Sequence, residues 1–388
     1  MYIALLGRQP ELSIAELERV YKDVTWFSAE SALVKTDEFA INRLGGTQKA
    51  GRVITNLPTT NWQVLSQEIV QHYSAKLADS NSKITLGVSV YGGNVSSREV
   101  QKVGLLLKGK LRSKNVSLRL IPNQEPALSS ATSHHNKLGL SNNKIEIIVV
   151  LSDKKAVIAE STGAQNISAL AARDQGRPRR DAFVGMLPPK LALLLVNLAT
   201  AGQANAHLLD PFCGTGVILQ EAALLGHPVH GSDISEKMID YSQQNLDWLQ
   251  GRLKHQTLNW QLQIGDATKT NWPLEINAVA TEAYLGQPFS APPSAAKLAE
   301  VRKNCQCIIS SFLKNLSKQI KPGTPVVVAV PAWRIRSGEN EFSHLAVSEM
   351  LENAGFSRIN LKNAESHRLM YSRPDQVVGR EILLIIKN

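Results

Sequence analysis

Residues 207–266 switch between short apolar runs and helical patterns at a tight, regular interval, and each apolar run is followed by an acidic residue. His207 to Asp210 predicts a strand, Gly216 to Leu225 a helix, Val229 to Asp233 a strand, Glu236 to Leu249 a helix and Leu262 to Asp266 a third strand. This rhythm is that of a doubly wound parallel sheet, since parallel neighbours need a crossover helix between them. It continues with Ala278 to Thr281, a helix from Ala295 to Ile320, a strand from Pro325 to Val330 and a helix from His344 to Ala354. Arg358 to Leu361 and Ile382 to Ile386 then predict an antiparallel end. In such a sheet a ligand sits beyond the carboxyl ends of the strands.

The first turn of this sheet reads DPFCGTGVIL, residues 210–219. Gly214 and Gly216 let backbone approach a ligand, and the helix that follows aims free amides at it. Asp210 is placed to meet a positive charge. Asp233, nineteen residues after Gly214, is placed to accept both hydroxyls of a ribose, and Asp266 to meet an adenine amine. Leu219 stands where a dinucleotide fingerprint has its third glycine, which disfavours NAD and FAD. An amine-bearing nucleoside, S-adenosyl-L-methionine, fits the three acids better, with Phe212, Ile234 and Ala267 as flanking cofactor contacts.

The first half has a looser, α+β pattern. Ile3 to Leu6 predicts a strand and Ser13 to Val20 a helix, with Ser13 and Glu16 as a capping box. Ala32 to Lys35 and Ile84 to Tyr91 predict strands, Ser97 to Lys114 a helix, Val116 to Ile121 a strand, and Ile145 to Leu151 with Ala156 to Ala159 a hairpin. The stretch AQNISALAARDQGRPRRDAFVGMLPP predicts a connector.

Charge separates the halves. Residues 1–200 hold 25 basic and 16 acidic residues, whereas residues 201–388 hold 18 and 17, so the excess of +9 lies in the first half. That asymmetry favours a polyanionic partner for the first half. Lys102, Lys108, Lys110, Arg112, Lys114 and Arg119 fall in a run without acids, and Lys108 and Arg112 share a helix face. Arg173, Arg177, Arg179 and Arg180 crowd the connector. Each set reads either as a solvated surface or as a grip on phosphates.

Other classes recede. The chain has 388 residues, enough for two or three domains, and its 43% hydrophobic content is ordinary for a globular protein. The start, MYIALLGRQPEL, lacks the pattern of a secretory signal, and no apolar run reaches spanning length, so a cytoplasmic protein without a membrane partner is expected. Cys213, Cys305 and Cys307 give neither a disulfide framework nor zinc spacing, and no metal is expected. Cys213 lies in the glycine loop with no histidine partner in view and reads as a packing residue.

DPFCGTG, GSDIS and IGDA resemble the RNA methylase family of class I methyltransferases. RQPELSIAELE (8–18), RLGGTQK (43–49), SSATSHHNKLG (129–139), RDQGRPRRDAFVGMLPPKLA (173–192) and YSRPDQVVGREIL (371–383) resemble segments of the THUMP-domain tRNA guanine-N2 methyltransferases, particularly those acting on guanosine 10. The resemblance implies a ferredoxin-like region over 1–60, a THUMP RNA-binding domain over 61–165, a basic linker over 166–190 and, over 191–388, a Rossmann-like α/β methyltransferase domain with a seven-stranded sheet. It implies tRNA as partner, N2-methylguanosine as product with a second methyl left open, and His135 and Asn136 as RNA contacts. Some eukaryotic relatives use a small activating protein, which the sequence leaves open here.

One departure bears on activity. The family carries D-P-P-Y or N-P-P-Y after the fourth strand, and this chain has Thr281, Glu282, Ala283 and Tyr284. Tyr284 retains the aromatic that stacks on a flipped base. Glu282, with the carbonyls of Thr281 and Glu282, is expected to accept the protons of the exocyclic amine; otherwise Glu282 is a loop carboxylate and the site has lost activity. An adenine amine as acceptor, or RNA binding without catalysis, are the alternative functions.

Overall fold

A computed structural model describes residues 1–181, 187–272, 275–336, 341–365 and 369–388. Residues 182–186 of the expected connector lie outside the described residues. The chain divides into two compact units, one of Met1–Pro10 with Tyr21–Ala169 and the other of Glu11–Val20 with Leu170–Asn388.

The first unit is built on eight strands: β1 (Tyr2–Leu6), β2 (Val24–Ser28), β3 (Ser31–Val34), β4 (Thr47–Leu57), β5 (Ile84–Tyr91), β6 (Leu118–Leu120), β7 (Lys144–Leu151) and β8 (Ala156–Ala164). They form a single sheet in the order β2-β3-β1-β4-β8-β7-β5-β6, so strands on either side of residue 60 share one hydrogen-bonded ladder. The expected hairpin is present as the antiparallel β7–β8 pair. Alternation explains how the sheet is covered. Ile145, Ile147 and Val149 face a core shared with α2 (Trp62–Lys76) and α3 (Ser97–Arg112), while Ile148 and Val150 face a second core with Ile3 and Leu5. Ser96 caps α3 by accepting from the Glu99 amide, and the Glu99 carboxylate accepts from the Ser96 amide. α4 (Ser130–His135) follows β6.

The second unit holds α1 over Glu11–Val20, a helix that runs in full from Pro10 to Tyr21. The expected capping box is overturned: Ser13 and Glu16 lie inside the helix and are buried. Glu16 accepts from Asn197 Nδ2 at 2.7 Å, on α6 (Pro189–Thr200), so it anchors one helix to another instead of capping its own. From Leu191 to Ala199, α6 is apolar on all sides except for Asn197, and it is buried throughout. The connector contains a further helix, α5 (Ile167–Gln175).

The sheet of this unit comprises β9 (Leu208–Asp210), β10 (Val229–Asp233), β11 (Trp260–Ile264), β12 (Ala278–Glu282), β13 (Pro325–Arg334), the short β14 (Phe342–Ser343), β15 (Phe356–Arg358), the short β16 (Met370–Tyr371) and β17 (Val378–Lys387). Seven strands run in the order β11-β10-β9-β12-β13-β17-β15, with β14 and β16 paired at the side. β17 enters antiparallel between β13 and β15, and the strands from β11 to β13 are parallel. α7 (Val217–Leu224), α8 (Glu236–Arg252), α9 (Ala295–Ser317) and α10 (Val347–Ala354) complete the unit. This is the expected Rossmann-like architecture. No described helix is long and apolar enough to cross a membrane.

Candidate active site

The order reverses at β9, whose neighbours β10 and β12 carry their crossovers in opposite directions, and this opens a crevice at the strand ends. A cavity of about 670 Å³ lies there, lined by Asp210, Phe212, Gly214, Asp233, Ile234, Asp266, Ala267, Glu282 and Tyr284 among others. The expected donor-binding residues therefore meet the expected acceptor loop in one space, with Gly216 set just behind as the N-cap of α7. Gly216 has φ +77°, and a Cβ there would lie 2.9 Å from Ser242 Oγ. The missing third glycine has a counterpart across the interface: a Cβ on Gly231 of β10 would lie 2.5 Å from Leu219 Cδ1. A bare backbone in the strand makes the room that Leu219 needs on the helix.

Each acid is held differently. Asp210 is buried at the tip of β9, where Thr281 Oγ1 donates to its Oδ1 at 2.6 Å and the Phe212 amide donates at 3.3 Å. Burial dominates over these bonds and pushes its pKa up to about 7. Asp233 Oδ2 accepts from the Gly214 amide and Oδ1 from the Ser235 amide, both at 2.9 Å, so one carboxylate pins the glycine loop to the second strand. Desolvation raises its pKa too. Asp266 does not end its strand as expected: β11 stops at Ile264, and Asp266 opens the following turn, accepting from the Thr268 hydroxyl at 2.7 Å and the Thr268 amide at 2.9 Å. Those bonds, the hydroxyl first, lower its pKa. Ile234 is 72% exposed at the cavity wall, an apolar surface beside Asp233.

On the acceptor side, Thr281 is fully buried and points to Asp210, which leaves only its backbone for any acceptor role. Tyr284 is 41% exposed at the cavity. Glu282 is not a loose loop carboxylate: its Oε1 accepts from Arg380 Nε, on β17, in an ion pair whose side chains are 13% and 7% exposed. Sequence reasoning did not single out Arg380. It sits in the quoted YSRPDQVVGREIL segment, but its partner lies 98 residues away and is brought close only because β13 separates β12 from β17 by one strand. Cys213 is buried and desolvation holds its thiol well above its ordinary pKa, as befits a packing residue.

Residues 177–330 match the family model described as UPF0020: RMKL-like, methyltransferase domain. Among curated relatives, the tRNA (guanine(10)-N2)-dimethyltransferase of Methanothermobacter thermautotrophicus is 28% identical over 162 residues, 41% of this chain and 44% of that protein. The protein of the same name from Pyrococcus abyssi is 36% identical over 105 residues, 27% of this chain and 26% of its own. The chain thus spans less than half the length of these relatives. The crystal structure of TrmN from Thermus thermophilus aligns over 100% of this chain and 99% of its own at a TM-score of 0.52 and 16% identity, a likeness of fold.

The basic residues expected to contact RNA separate into two groups. In the second unit, Arg173 is committed to Glu221 through two bonds of 2.6 and 2.9 Å, and Arg177 is 3% exposed. Glu221 is buried, and Arg173 supplies the charge that offsets it, which favours the structural side of the two readings for this arginine. Arg179 is exposed, with Nε donating to Gln244 and its guanidinium over the Tyr241 ring, and Arg180 is exposed as well. In the first unit Lys108 and Arg112 are exposed on α3, and His135 is exposed at the end of α4. Asn136 is the C-cap of α4, and its side chain donates to the Thr132 carbonyl at 2.9 Å.

Asp210 gives a pH signature. Its folded pKa lies above the ordinary value of 3.8, so the folded state holds a proton that the unfolded state releases between about 4 and 7. The group's contribution is fully present below the lower value and is lost as pH rises through about 7. Asp210→Asn is expected to flatten that fall, so that its melting temperature gains on the wild type at pH 8 and not at pH 4. Parallel thermal scans at both values check this; an equal offset at both would refute it.

Proposed function

We propose that the chain moves a methyl group from S-adenosyl-L-methionine to the N2 amine of a guanosine in tRNA. The observation that carries this reading is the shared cavity, in which the strand-end acids and the Glu282–Tyr284 loop line one space. The names of the matched relatives support guanosine 10 as the position and allow a second methyl.

The residues fit the donor on three grounds. Among the described residues no cation pairs with the buried Asp210 carboxyl, which would gain one from the donor's ammonium. Each Asp233 oxygen takes one amide and keeps capacity for one ribose hydroxyl. The apolar Ile234 surface suits an adenine face, with Asp266 at its amine edge. The cavity volume also falls in the range for such a ligand. Once bound, the donor supplies a methyl on a sulfonium, whose C–S electrons return to sulfur as the amine nitrogen forms its new bond. The protein's part is orientation. Tyr284 stacks on the swung-out base, Glu282 accepts from the amine hydrogens and takes the proton released, and the pair holds the nitrogen lone pair toward the methyl.

Because a cation at Asp210 needs the carboxylate, donor affinity is expected to rise about tenfold per pH unit below about 7 and to level above it. The first unit supports the tRNA reading through its basic excess and the exposed cations of α3, consistent with a THUMP domain that holds the substrate. The direct test incubates the chain with unmodified total tRNA and labelled donor and maps the labelled nucleotide. Label on N2 of a guanosine is expected; label on an adenine amine overturns the acceptor, and no label with intact donor binding overturns the activity.

A further inference from the structure

We propose that the Glu282–Arg380 ion pair is the device that selects guanine at this site, an inference that rests on the guanine-N2 reading above. Arg380 occupies Glu282 Oε1 through its Nε, and among the described residues Oε2 has no hydrogen-bond partner. Arg380 is itself fixed: it is 5% exposed on β17, between paired strands, with its guanidinium 5.9 Å from the centre of the Tyr371 ring. Tyr371 is held in turn by Arg373, whose Nε donates to its hydroxyl at 3.1 Å. A carboxylate so gripped cannot turn away from the cavity it lines, and it offers lone pairs only.

Lone pairs discriminate between purines. Guanine presents two adjacent donors, N1–H and N2–H, and a carboxylate accepts from both. Adenine presents one donor beside the bare N1 lone pair, which a carboxylate repels. Glu282 carries no donor that could meet a bare N1. Glu282 therefore reads N1 as well as the N2 amine. Arg380 acts as a positioning residue, and Glu282 as the group that touches the base.

The test uses the full chain and a tRNA transcript in which the guanosine labelled by the wild type is replaced by 2-aminopurine riboside. That base keeps the N2 amine and has a lone pair at N1 where guanine has a hydrogen. The wild type is expected to favour guanosine in kcat/KM by about 10- to 100-fold, the scale of one good bidentate contact. Glu282→Gln, whose amide donates to a bare N1, is expected to lose on guanosine and to bring this ratio to about one or below. Arg380→Met is expected to lower kcat on guanosine and shrink the ratio, and Arg380→Lys to restore part of it. Calorimetric binding of S-adenosylhomocysteine serves as the check on folding, and all three variants are expected to retain it. A ratio unchanged in both Glu282→Gln and Arg380→Met overturns the proposal while the methyltransferase reading stands. A wild type that labels no guanosine N2 overturns the reading itself.

Discussion

Replacing Asp233 by alanine is expected to weaken S-adenosylhomocysteine binding by about 100-fold or more. Two hydroxyl bonds to a charged acceptor contribute about 1.5 kcal/mol each at the low end, and about 1.4 kcal/mol is tenfold in affinity. The same substitution frees the Gly214 amide, which Asp233 holds at 2.9 Å, so the glycine loop loses its tie to β10 as well as the ligand its ribose partner. Calorimetric titration at pH 8 measures it. A dissociation constant within threefold of the wild type would remove Asp233 from the donor site, and with it the central support of the proposed activity.

Lys49→Met is expected to destabilise the first unit by about 3–5 kcal/mol, the usual cost of leaving one member of a buried pair without its partner. Lys49 and Glu146 are 1% and 0% exposed and 2.5 Å apart; Lys49 also donates to the Leu128 carbonyl at 2.7 Å, and Ser89 donates to Glu146 at 2.6 Å. Burial lowers the Lys49 pKa, and the Glu146 charge opposes that shift. Without the ammonium, Glu146 would keep only a hydroxyl for compensation. The double variant Lys49→Met/Glu146→Leu is expected to recover most of the loss, because neither charge is then stranded. Hydrogen exchange at the β7 amides of the full chain reads this unit separately from the other. A loss under about 1 kcal/mol in the single variant would show that the pair is dispensable.

Lys49 also shows why parts of the fold were hard to read. It falls in TQKAGRVITNL, whose lysine, arginine, glycine and four uncharged polar residues mask the eleven-residue β4, which no strand expectation covered. A buried lysine looks like any other lysine until its partner is known, and Glu146 is 97 residues away. The helix α2 was equally unmarked, although Leu65, Ile69 and Tyr73 recur at helical spacing and are buried; the polar residues between them dilute the pattern. The capping-box signal at Ser13 misled for a related reason, since Glu16 had a tertiary partner, Asn197, that outcompeted the local one. The arginines of the connector divided the same way: Arg173 and Arg177 turned inward, and Arg179 and Arg180 did not.

The second half was legible because its signals are local. A short apolar run, an acid and a glycine turn lie next to one another in the chain, and backbone sterics alone convert them into strand, strand tip and helix start. That is why β10 spans the expected Val229–Asp233, and why Asp210, Asp233 and Gly214, picked from the sequence, line one cavity with Gly216 behind them as the N-cap of α7. Tertiary structure decided what depends on sheet order: the insertion of antiparallel β17 beside β13, the turn of Thr281 onto Asp210, and the capture of Glu282 by Arg380. Those contacts join residues 71 and 98 positions apart. No periodicity records such separations, because each is set by which strands pair across the sheet and not by the residues that flank it.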